Sequence, residues 1–327
     1  MNEFELIDLI RAECGLQRPD VRIGIGDDAA AVEVPPGCEL VVCTDTLVAG
    51  RHFPLNTRPE DIGWKALAVN LSDLAAMGAT PAFALLALCL PEADANWVRA
   101  FARGFAELAA RHRIALVGGD TTRGPMTITV TALGFVPIGK ALKRSGAMVG
   151  DVIAACGDLG AAAAGLRYLG THPDCGRAYR LQRHRTEHQW VDRLDRPLPQ
   201  VEQGIMLRDI ASSAIDISDG LVADLGHVLR ASGVGADIQL VAIPGFEHIR
   251  EHIDADVATR LVLSGGDDYA LLVTMPQSAF EQARSALIAS GSSLTAIGLI
   301  SSEPGLRIVD ANGNSVQCDN AGWDHFA

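Results

Sequence analysis

Short carboxylates recur in one setting along this sequence, namely where a predicted buried strand runs into a glycine-rich turn. The setting occurs five times, with Asp27 and Asp28, Asp45, Asp120, Asp216 and Asp219, and Asp267 and Asp268. A further aspartate, Asp73, lies on a predicted helix. Aspartate and glycine populate turns for backbone reasons alone. Five repeats in one chain, with few Asn or Ser in the same role, nevertheless favour a chemical use of the carboxylates.

Carboxylates that gather in one site need a cation. Two bare carboxylates about 4 Å apart repel each other by about 4 kcal/mol at an effective dielectric constant of about 20. Carboxylate, threonine hydroxyl and water are hard oxygen ligands, which suit Mg2+ better than Zn2+. Magnesium held in this way commonly completes its coordination with substrate phosphates. The pattern therefore predicts phosphoryl-transfer chemistry.

The common nucleotide-binding motifs are absent from the sequence. There is no GxxxxGK followed by Ser or Thr, which excludes a P-loop protein, and no HRD or DFG motif, which excludes a protein-kinase fold. Residues 157–160 (GDLG) follow a predicted strand, but their spacing does not fit GxGxxG. We interpret them as a site of close packing between a helix and a strand.

One literal zinc motif is present. His184 and His188 belong to an H-x-x-E-H pattern, in which two histidines four residues apart could hold Zn2+. The motif lies in the most polar stretch of the chain, among Arg180, Arg183 and Arg193. Because these arginines disfavour a bound cation, a solvated helix face is predicted instead.

Helical and strand periodicity predicts the elements that position the carboxylates. Apolar residues recur at intervals of three and four over 59–78, with Pro near the start and Gly past the end, which predicts a helix. On that helix Asn70 and Asp73 are expected to share a face outside the apolar stripe. Short strands over 40–43 and 114–117 are expected to end just before Thr44 and Gly118.

The order of these elements predicts an α+β protein of two domains. Residues 139–150 are rich in glycine and cations and mark the boundary, which gives an N-terminal domain over 1–138 and a C-terminal domain over 139–327. Residues 171–200 are polar and end in two prolines, which favours a mobile arm or lid.

Composition limits the classes of partner. The chain has 327 residues, 48% of them hydrophobic, and a net charge of -13, so neither nucleic acid nor a membrane is an expected partner. Its apolar runs are shorter than the 18 or so residues that a membrane-spanning helix needs. The seven cysteines form no CxxC pair, which favours reduced thiols. With an acidic N-terminus unlike a signal peptide, a cytoplasmic location is expected.

Eight motifs together resemble the thiamine-monophosphate kinase family, in the family's order and over nearly the whole chain. They are GIGDDAA (24–30), TDTLVAGRHF (44–53), KALAVNLSDLAAMGA (65–79), GGDTTRGP (118–125), RSGA (144–147), DISDGLVADLGH (216–227), SGGDDYALL (264–272) and GWDHF (322–326). The resemblance implies the two-domain fold of aminoimidazole ribonucleotide synthetase, with N-terminal domains that pair in a homodimer and shape the ATP clefts.

The resemblance also implies roles for individual residues. Several Mg2+ ions between ATP and the acceptor phosphate are expected on Asp28, Thr44, Asp45, Asp73, Asp120, Asp216 and Asp219. Contacts with ATP are expected from Gly119, Asp120, Arg144 and Ser218, and contacts with thiamine monophosphate from His52, Asp267 and Trp323. Related sequences often have Glu where this chain has Asp267, so the reach of that side chain is shorter here. Asp27 is expected either to join the site or to brace the turn that carries Asp28.

The implied reaction is direct in-line transfer of the ATP γ-phosphoryl group to the phosphate of thiamine monophosphate, giving thiamine diphosphate and ADP. No general base is assigned, because the attacking phosphate is already ionised near neutral pH. Two related activities fit less well. Selenophosphate synthetases use a reactive Cys or selenocysteine in a glycine-rich segment, unlike the context of Cys14, and carbamoyl-handling relatives use a C-terminal Cys, where this sequence has Phe326 and Ala327. A nucleotide-binding sensor without turnover is a third alternative, which the full set of aspartates disfavours.

Overall fold

Two units, each with its own core, make up the chain in the computed structural model, which describes residues 2–171 and 186–317. Unit 1 comprises residues 1–74 and 79–139, and unit 2 comprises residues 75–78 and 140–327. The division after residue 139 falls one residue from the predicted boundary. The sequence did not predict that residues 75–78 associate with unit 2.

Unit 1 is built on a four-stranded sheet with the strand order β3-β6-β4-β5, beside a two-stranded β1-β2 hairpin. The strands are β1 Val21–Ile23, β2 Ala31–Val32, β3 Cys38–Val48, β4 Thr80–Leu90, β5 Ala115–Arg123 and β6 Thr127–Pro137, and the helices are α1 Glu3–Glu13, α2 Pro59–Ala76 and α3 Ala95–Arg111. β6 pairs antiparallel with β3 and β4, whereas β5 pairs parallel with β4. β3 and β5 are therefore the two edges of this sheet.

Helices α2 and α3 cross at two glycines. A methyl group at Gly104 would overlap the backbone carbonyl of Glu60, and one at Gly63 would overlap that of Phe101. The two backbones are thus in direct contact. The structure describes every residue of α2 from Asp61 to Ala76, and all of them except Asp73 are buried. Asn70 is fully buried, and its Nδ2 donates to the Ala66 carbonyl at 3.1 Å. Asn70 and Asp73 both interact with the Cys43 thiol on β3, so they share one face of α2, as predicted.

Two of the predicted carboxylate turns are instead strand positions. Asp45 and Asp120 lie inside β3 and β5, so the prediction that these strands end before their carboxylates is wrong. Asp216 lies near the end of strand β8 (Ser213–Ile217), at the strand end where it was predicted. In unit 1 the strands continue past the predicted ends because β3 and β5 are the edge strands of the sheet. An edge strand pairs on one side only and tolerates polar side chains without ending, so the loss of apolar alternation after residues 43 and 117 did not mark a strand end.

Unit 2 contains a six-stranded sheet with the order β12-β9-β11-β7-β10-β8, antiparallel except for the β12–β9 pair. The remaining strands are β7 Val152–Cys156, β9 Gly235–Gln239, β10 Ala270–Met275, β11 Thr295–Ser301 and β12 Gly305–Val309. The helices are α4 Ala161–Thr171, α5 Thr186–Asp195, α6 Val201–Leu207, α7 Leu221–Ser232, α8 Phe246–Arg250, α9 Ala255–Ser264 and α10 Gln277–Ala289. Apolar clusters cover both faces of the sheet, so every residue of β7, β8 and β10 is buried.

The proposed arm over 171–200 is in part a packed helix. Residues 172–185, including His184, lie outside the described residues, but α5 buries Trp190, Val191 and Leu194. His188 is also buried, with its ring edge-on to Tyr168, so the prediction that it lies on a solvated helix face is wrong. The apolar residues of α5 recur at intervals of three and four, but the polar residues around them obscured this pattern in the sequence. Within the described residues no helix combines the length and apolar character needed to cross a membrane.

Candidate functional site

Strand β3 presents its site residues on opposite faces. The Cys43 thiol donates to the Asn70 carbonyl at 3.3 Å, so the face of Cys43 looks toward α2. Asp45, two residues further on, shares this face because side chains alternate along a strand. Thr44 faces the other way, and its hydroxyl donates to the Val130 carbonyl at 3.1 Å and lies 3.0 Å from the Thr131 hydroxyl. The Thr44 side chain therefore points away from that of Asp45.

Asp45 and Asp73 meet around Cys43. Burial, followed by the negative charges of Asp73 and Asp45, raises the pKa of the Cys43 thiol. Burial also raises the pKa of Asp45 itself. Two acids that act on one thiol in a partly buried pocket repel each other. A divalent cation would offset this repulsion, and carboxylate oxygens are the donors that Mg2+ prefers.

Asp120 lies at the other edge of the same sheet. Thr46 on β3 pairs with Thr129 on β6, which in turn pairs with Ala87 on β4. Ala87 pairs with Asp120 on β5. Asp120 therefore shares the face of Thr46 and Thr44, and it is three strand spacings, or about 14 Å, from β3. Next to it, a methyl group at Gly119 would overlap the Leu86 carbonyl, which is a packing reason for glycine at this position.

Asp28 and His52 flank β3 in the chain. The Asp27 carboxylate accepts the Asp28 N–H at 2.9 Å, which braces the exposed turn that carries Asp28. The Val48 N–H donates to Nδ1 of His52 at 3.0 Å. Because Nδ1 is an acceptor, the neutral imidazole carries its proton on Nε2, which makes that nitrogen a potential donor to a phosphate or hydroxyl oxygen.

In unit 2, a buried carboxylate organises the loop that contains Ser218 and Asp219. Asp224, in the first turn of α7, accepts the N–H groups of Ser218, Asp219 and Gly220 at 3.0, 3.0 and 3.1 Å. Burial raises the pKa of Asp224 to about 7, the N–H groups of Asp219 and Ser218 oppose this rise, and the charges of Asp216 and Asp219 add to it. Asp216, Asp219 and Asp224 are therefore close neighbours.

Sequence reasoning missed Asp224 as a functional residue. The sequence does contain a signal for this role, because an acidic side chain in the first turn of a predicted helix commonly binds the unpaired N–H groups at that helix end. Here the carboxylate reaches back to the loop before the helix. Asp224 is thus a positioning residue for Ser218 and Asp219.

The loop with Asp267 lies against the loop with Ser218. The Asp267 N–H donates to the Ser218 carbonyl at 2.9 Å, and the Tyr269 N–H donates to the Ile217 carbonyl at 2.8 Å. Asp267 and Tyr269 both have positive φ, at 69° and 50°, a region that non-glycine residues seldom occupy and that is enriched at functional sites. The Tyr269 hydroxyl donates to the Asp267 carboxylate at 3.0 Å and so orients it.

Asp268 fixes the other side of this loop. Its carboxylate accepts the Gly160 N–H at 2.7 Å and the Ala162 N–H at 3.3 Å, at the start of α4. A methyl group at Gly160 would meet Val262 at 2.8 Å and Ile249 at 3.0 Å. Close packing at Gly160 is therefore with helices α9 and α8, whereas the predicted partner was a strand.

Arg144 is placed by the end of α7. The Ser232 hydroxyl accepts the N–H groups of Gly146 and Ala147 at 3.1 and 3.2 Å, which holds the turn after Arg144. Burial, Arg230 and Arg144 lower the pKa of His227, whereas Asp219 raises it. Arg144 and Asp219 thus act on the same imidazole and are neighbours in unit 2.

The structure therefore gathers the expected residues into sets. Asp45 and Asp73 form one set in unit 1, with Asp28 and His52 on segments next to β3, and Gly119 and Asp120 form another at the far edge of the sheet. Unit 2 brings together Arg144, Asp216, Ser218, Asp219 and Asp267. Trp323 lies outside the described residues.

Both units match known domains. Residues 26–136 match AIR synthase related protein, N-terminal domain, and residues 148–311 match AIR synthase related protein, C-terminal domain. Together the two matches cover most of the chain. Its α+β architecture is therefore that of the AIR synthase related proteins.

Full-length relatives share one name. Thiamine-monophosphate kinase of Salmonella typhimurium is 44% identical over 326 residues, which cover 99% of this chain and 98% of the relative. The crystal structure of thiamine-monophosphate kinase from Stenotrophomonas maltophilia K279a is 45% identical, with a TM-score of 0.87 and coverage of 97% and 98%. A structure of AaThiL complexed with AMPPCP and TMP is 31% identical, with a TM-score of 0.76 and coverage of 99% and 97%. The chain belongs to the thiamine-monophosphate kinase family, within the AIR synthase related proteins.

Proposed function

We propose that this chain transfers the γ-phosphoryl group of ATP directly to the phosphate of thiamine monophosphate, giving thiamine diphosphate and ADP. The observation that carries the proposal is the pair of carboxylate sets, around Cys43 in unit 1 and around Asp224 in unit 2, within a chain that is 44% identical to a thiamine-monophosphate kinase. The related structure that contains AMPPCP and TMP supports the choice of both substrates.

The carboxylate sets fit magnesium. The donor atoms of both sets are hard oxygens. A divalent cation would offset the repulsion between Asp45 and Asp73 and that between Asp216 and Asp219. The residues proposed to hold several Mg2+ ions are Asp28, Thr44, Asp45, Asp73, Asp120, Asp216 and Asp219. Bound magnesium would neutralise phosphate oxygens and stabilise the charge of the transition state.

Other residues of the chain would bind and orient the two anions. Arg144 supplies a guanidinium, which forms charge-assisted hydrogen bonds to phosphate. Ser218 and Gly119 contact ATP, and the Asp224 carboxylate fixes the backbone at Ser218. Positioning of this kind accounts for much of the catalysis in phosphoryl transfer.

The acceptor side is assigned to His52, Asp267 and Trp323. His52 can donate from Nε2, and the Asp267 carboxylate is oriented by the Tyr269 hydroxyl. Trp323 is chemically suited to the cationic thiazolium ring, because aromatic faces attract cations. No general base is required, since the attacking oxygen belongs to an ionised phosphate.

We further propose a homodimer in which each metal site draws on both chains. Asp45 and Asp120 lie at opposite edges of one sheet, about 14 Å apart by strand spacing, and their side chains project from opposite faces, so within one chain they cannot belong to one cluster of metal ions. On the face shared by Thr44 and Asp120, β3 also exposes Leu40 and Val42, which are 40% and 55% accessible. A second copy would bring the β5 edge of one chain to the β3 edge of the other and cover this apolar surface.

A cytoplasmic location is part of the proposal. ATP is the phosphoryl donor, and the five cysteines within the described residues are free thiols, as in a reducing compartment.

A direct assay tests the function. Purified chain is incubated with ATP, MgCl2 and thiamine monophosphate, and thiamine diphosphate and ADP are measured by chromatography. We expect equimolar products, no turnover after chelation of the metal, and a loss of about a hundredfold or more in kcat for Asp45→Asn. Asp8→Asn, on the exposed face of α1, is the matched control and should retain parental activity. Absence of thiamine diphosphate with the parent chain would refute the proposed function.

A further inference from the structure

A cluster of two histidines and a glutamate lies on the surface of unit 2 and shares no residue with the set assigned to the phosphoryl-transfer site. His248 is in α8, and Glu251 and His252 follow in the turn after it. One ligand atom from each of the three side chains lies within 4.8 Å of the other two, and all three residues are exposed. Because His248 and His252 are four residues apart in a helical turn, both imidazoles are on one side of it.

A buried tryptophan holds both imidazoles in place. Trp190, in α5, has its ring edge-on to His248 at 6.1 Å and to His252 at 5.9 Å between ring centres, and the two imidazole centres are 5.2 Å apart. Only 4% of Trp190 is exposed. A rigid aromatic wall therefore restricts the orientations that the two histidines can adopt, which lowers the entropy cost of binding a ligand between them.

The hydrogen bonding of His252 is that of a metal-binding histidine. Its Nδ1 lies 3.0 Å from the His248 backbone carbonyl, which can only accept, so Nδ1 carries the proton. The lone pair is then on Nε2. Histidines that bind metal ions characteristically donate their other ring nitrogen to a carbonyl or carboxylate in this way. Nε2 lies at 3.5 Å from the Thr186 hydroxyl, the limit of a hydrogen bond.

The neighbouring charges favour a cation. Arg250, between His248 and Glu251 in the chain, is held by an ion pair with Glu247 one turn earlier. Its positive charge is thereby compensated. The cluster itself contributes the negative charge of Glu251.

We propose that His248, Glu251 and His252 form a binding site for a borderline divalent cation of the Zn2+ class. Two imidazole nitrogens and one carboxylate oxygen are donors that Zn2+, Ni2+ and Cu2+ prefer, in contrast to the all-oxygen sets assigned to magnesium. Metal–ligand bonds of about 2.0–2.2 Å place tetrahedral ligand atoms about 3.4 Å apart. Small side-chain rotations bring the three atoms from their present spacing to that value, and water completes the coordination.

Calorimetric titration of the metal-stripped full chain with ZnCl2 tests the site. The buffer contains excess MgCl2, so that the oxygen ligands assigned to magnesium do not compete for zinc. We expect one Zn2+ per chain, and an affinity at least tenfold lower for His248→Ala and for His252→Ala. Glu281→Gln, an exposed acid on α10 outside the cluster, should bind as the parent does. Circular dichroism confirms that each variant is folded.

Fluorescence quenching tests the location. Cu2+ quenches nearby tryptophan, and Trp190 contacts both imidazoles, so Cu2+ should quench part of the parental emission. Trp190→Phe should abolish this quenching step, and His248→Ala combined with His252→Ala should shift it to at least tenfold higher Cu2+ concentration. The proposal is overturned if zinc binding is absent in the parent or unchanged in the double histidine variant.

Discussion

Asp268 shows how a single carboxylate links the loop that contains Asp267 to a helix. It is partly buried, and it accepts two N–H groups at the start of α4. Burial raises its pKa from 3.8 to about 7, the Gly160 and Ala162 N–H groups oppose the rise, and the charges of Asp267 and Asp158 add to it. Protonation of this one group therefore couples the stability of unit 2 to pH.

The sign of that coupling is fixed by the direction of the shift. Below about pH 4 both the folded and the unfolded chain hold the proton, so the stabilisation is fully present. Between pH 4 and pH 7 only the folded chain holds it, and the free energy of unfolding falls as the pH rises, by at most about 1.4 kcal/mol per pH unit. Above pH 7 both states are ionised and the contribution is lost.

We expect Asp268→Asn to flatten this dependence. Urea unfolding at pH 5, 6, 7 and 8 should show the parent losing more free energy of unfolding between pH 5 and pH 7 than the variant. Asp224, whose pKa is also raised to about 7, is present in both proteins and cancels in the difference. Exposed Asp256→Asn on α9 is the control. Parallel curves for parent and Asp268→Asn would contradict the assignment.

At the residue scale, the sequence predicted chemistry better than orientation. The hard-oxygen argument selected Asp45 and Asp73, and the structure brings both to Cys43. It did not reveal that Thr44 faces away from Asp45, because side-chain direction depends on whether the strand has ended, and β3 continues to Val48. Nor did it reveal Asp224, whose contacts with Ser218 and its neighbours depend on the folded loop.

At the element scale, the crossing of α2 and α3 depends on two glycines. The added methyl group of Gly104→Ala would meet the Glu60 backbone, which cannot move without displacing α2. We expect a loss of about 3 kcal/mol in the free energy of unfolding, the upper part of the range for overpacked cores. Urea unfolding followed by circular dichroism measures the change.

Gly170→Ala is the matched control for this substitution. Gly170 is also helical, in α4, and a methyl group there meets no atom within 4 Å. Since alanine favours helix over glycine, this variant should be as stable as the parent or more stable by up to about 1 kcal/mol. Equal destabilisation of both variants would show that glycine contact between α2 and α3 is not the cause.

Elements with strong periodicity were predictable, and edge or polar elements were not. Helix α2 was predicted over 59–78 and is observed over Pro59–Ala76, so its end was predicted to within two residues. The buried face of α5 was missed because Arg- and His-rich surroundings obscured its apolar stripe. Helices α8 and α9 were not predicted, because short helices carry little periodic signal. These omissions matter for function, because α5 and α8 provide the Trp190 and His248 contact.

At the scale of the whole molecule, the sheet order separates residues that the sequence motifs place in one function. Asp45 and Asp120 belong to opposite edges of unit 1, and no side-chain movement spans about 14 Å. Sequence alone cannot reveal this, because strand order is a property of the folded sheet. If each site is shared as proposed, the dimer is a requirement for activity, since a symmetric pair would offer each β3 edge a β5 edge from the other chain.

Mixed dimers test this requirement. Asp45→Asn and Asp120→Asn homodimers should both be inactive, whereas a heterodimer of the two, isolated by different affinity tags, should recover about half of the parental kcat per dimer, because one of its two sites contains both aspartates. A second mixed dimer distinguishes a shared site from a site complete within one chain. A chain with both substitutions, paired with a parental chain, should be inactive if each site is shared, and half-active if each chain contains a complete site. Recovery in the second heterodimer and none in the first would refute the shared site while leaving the kinase activity itself intact.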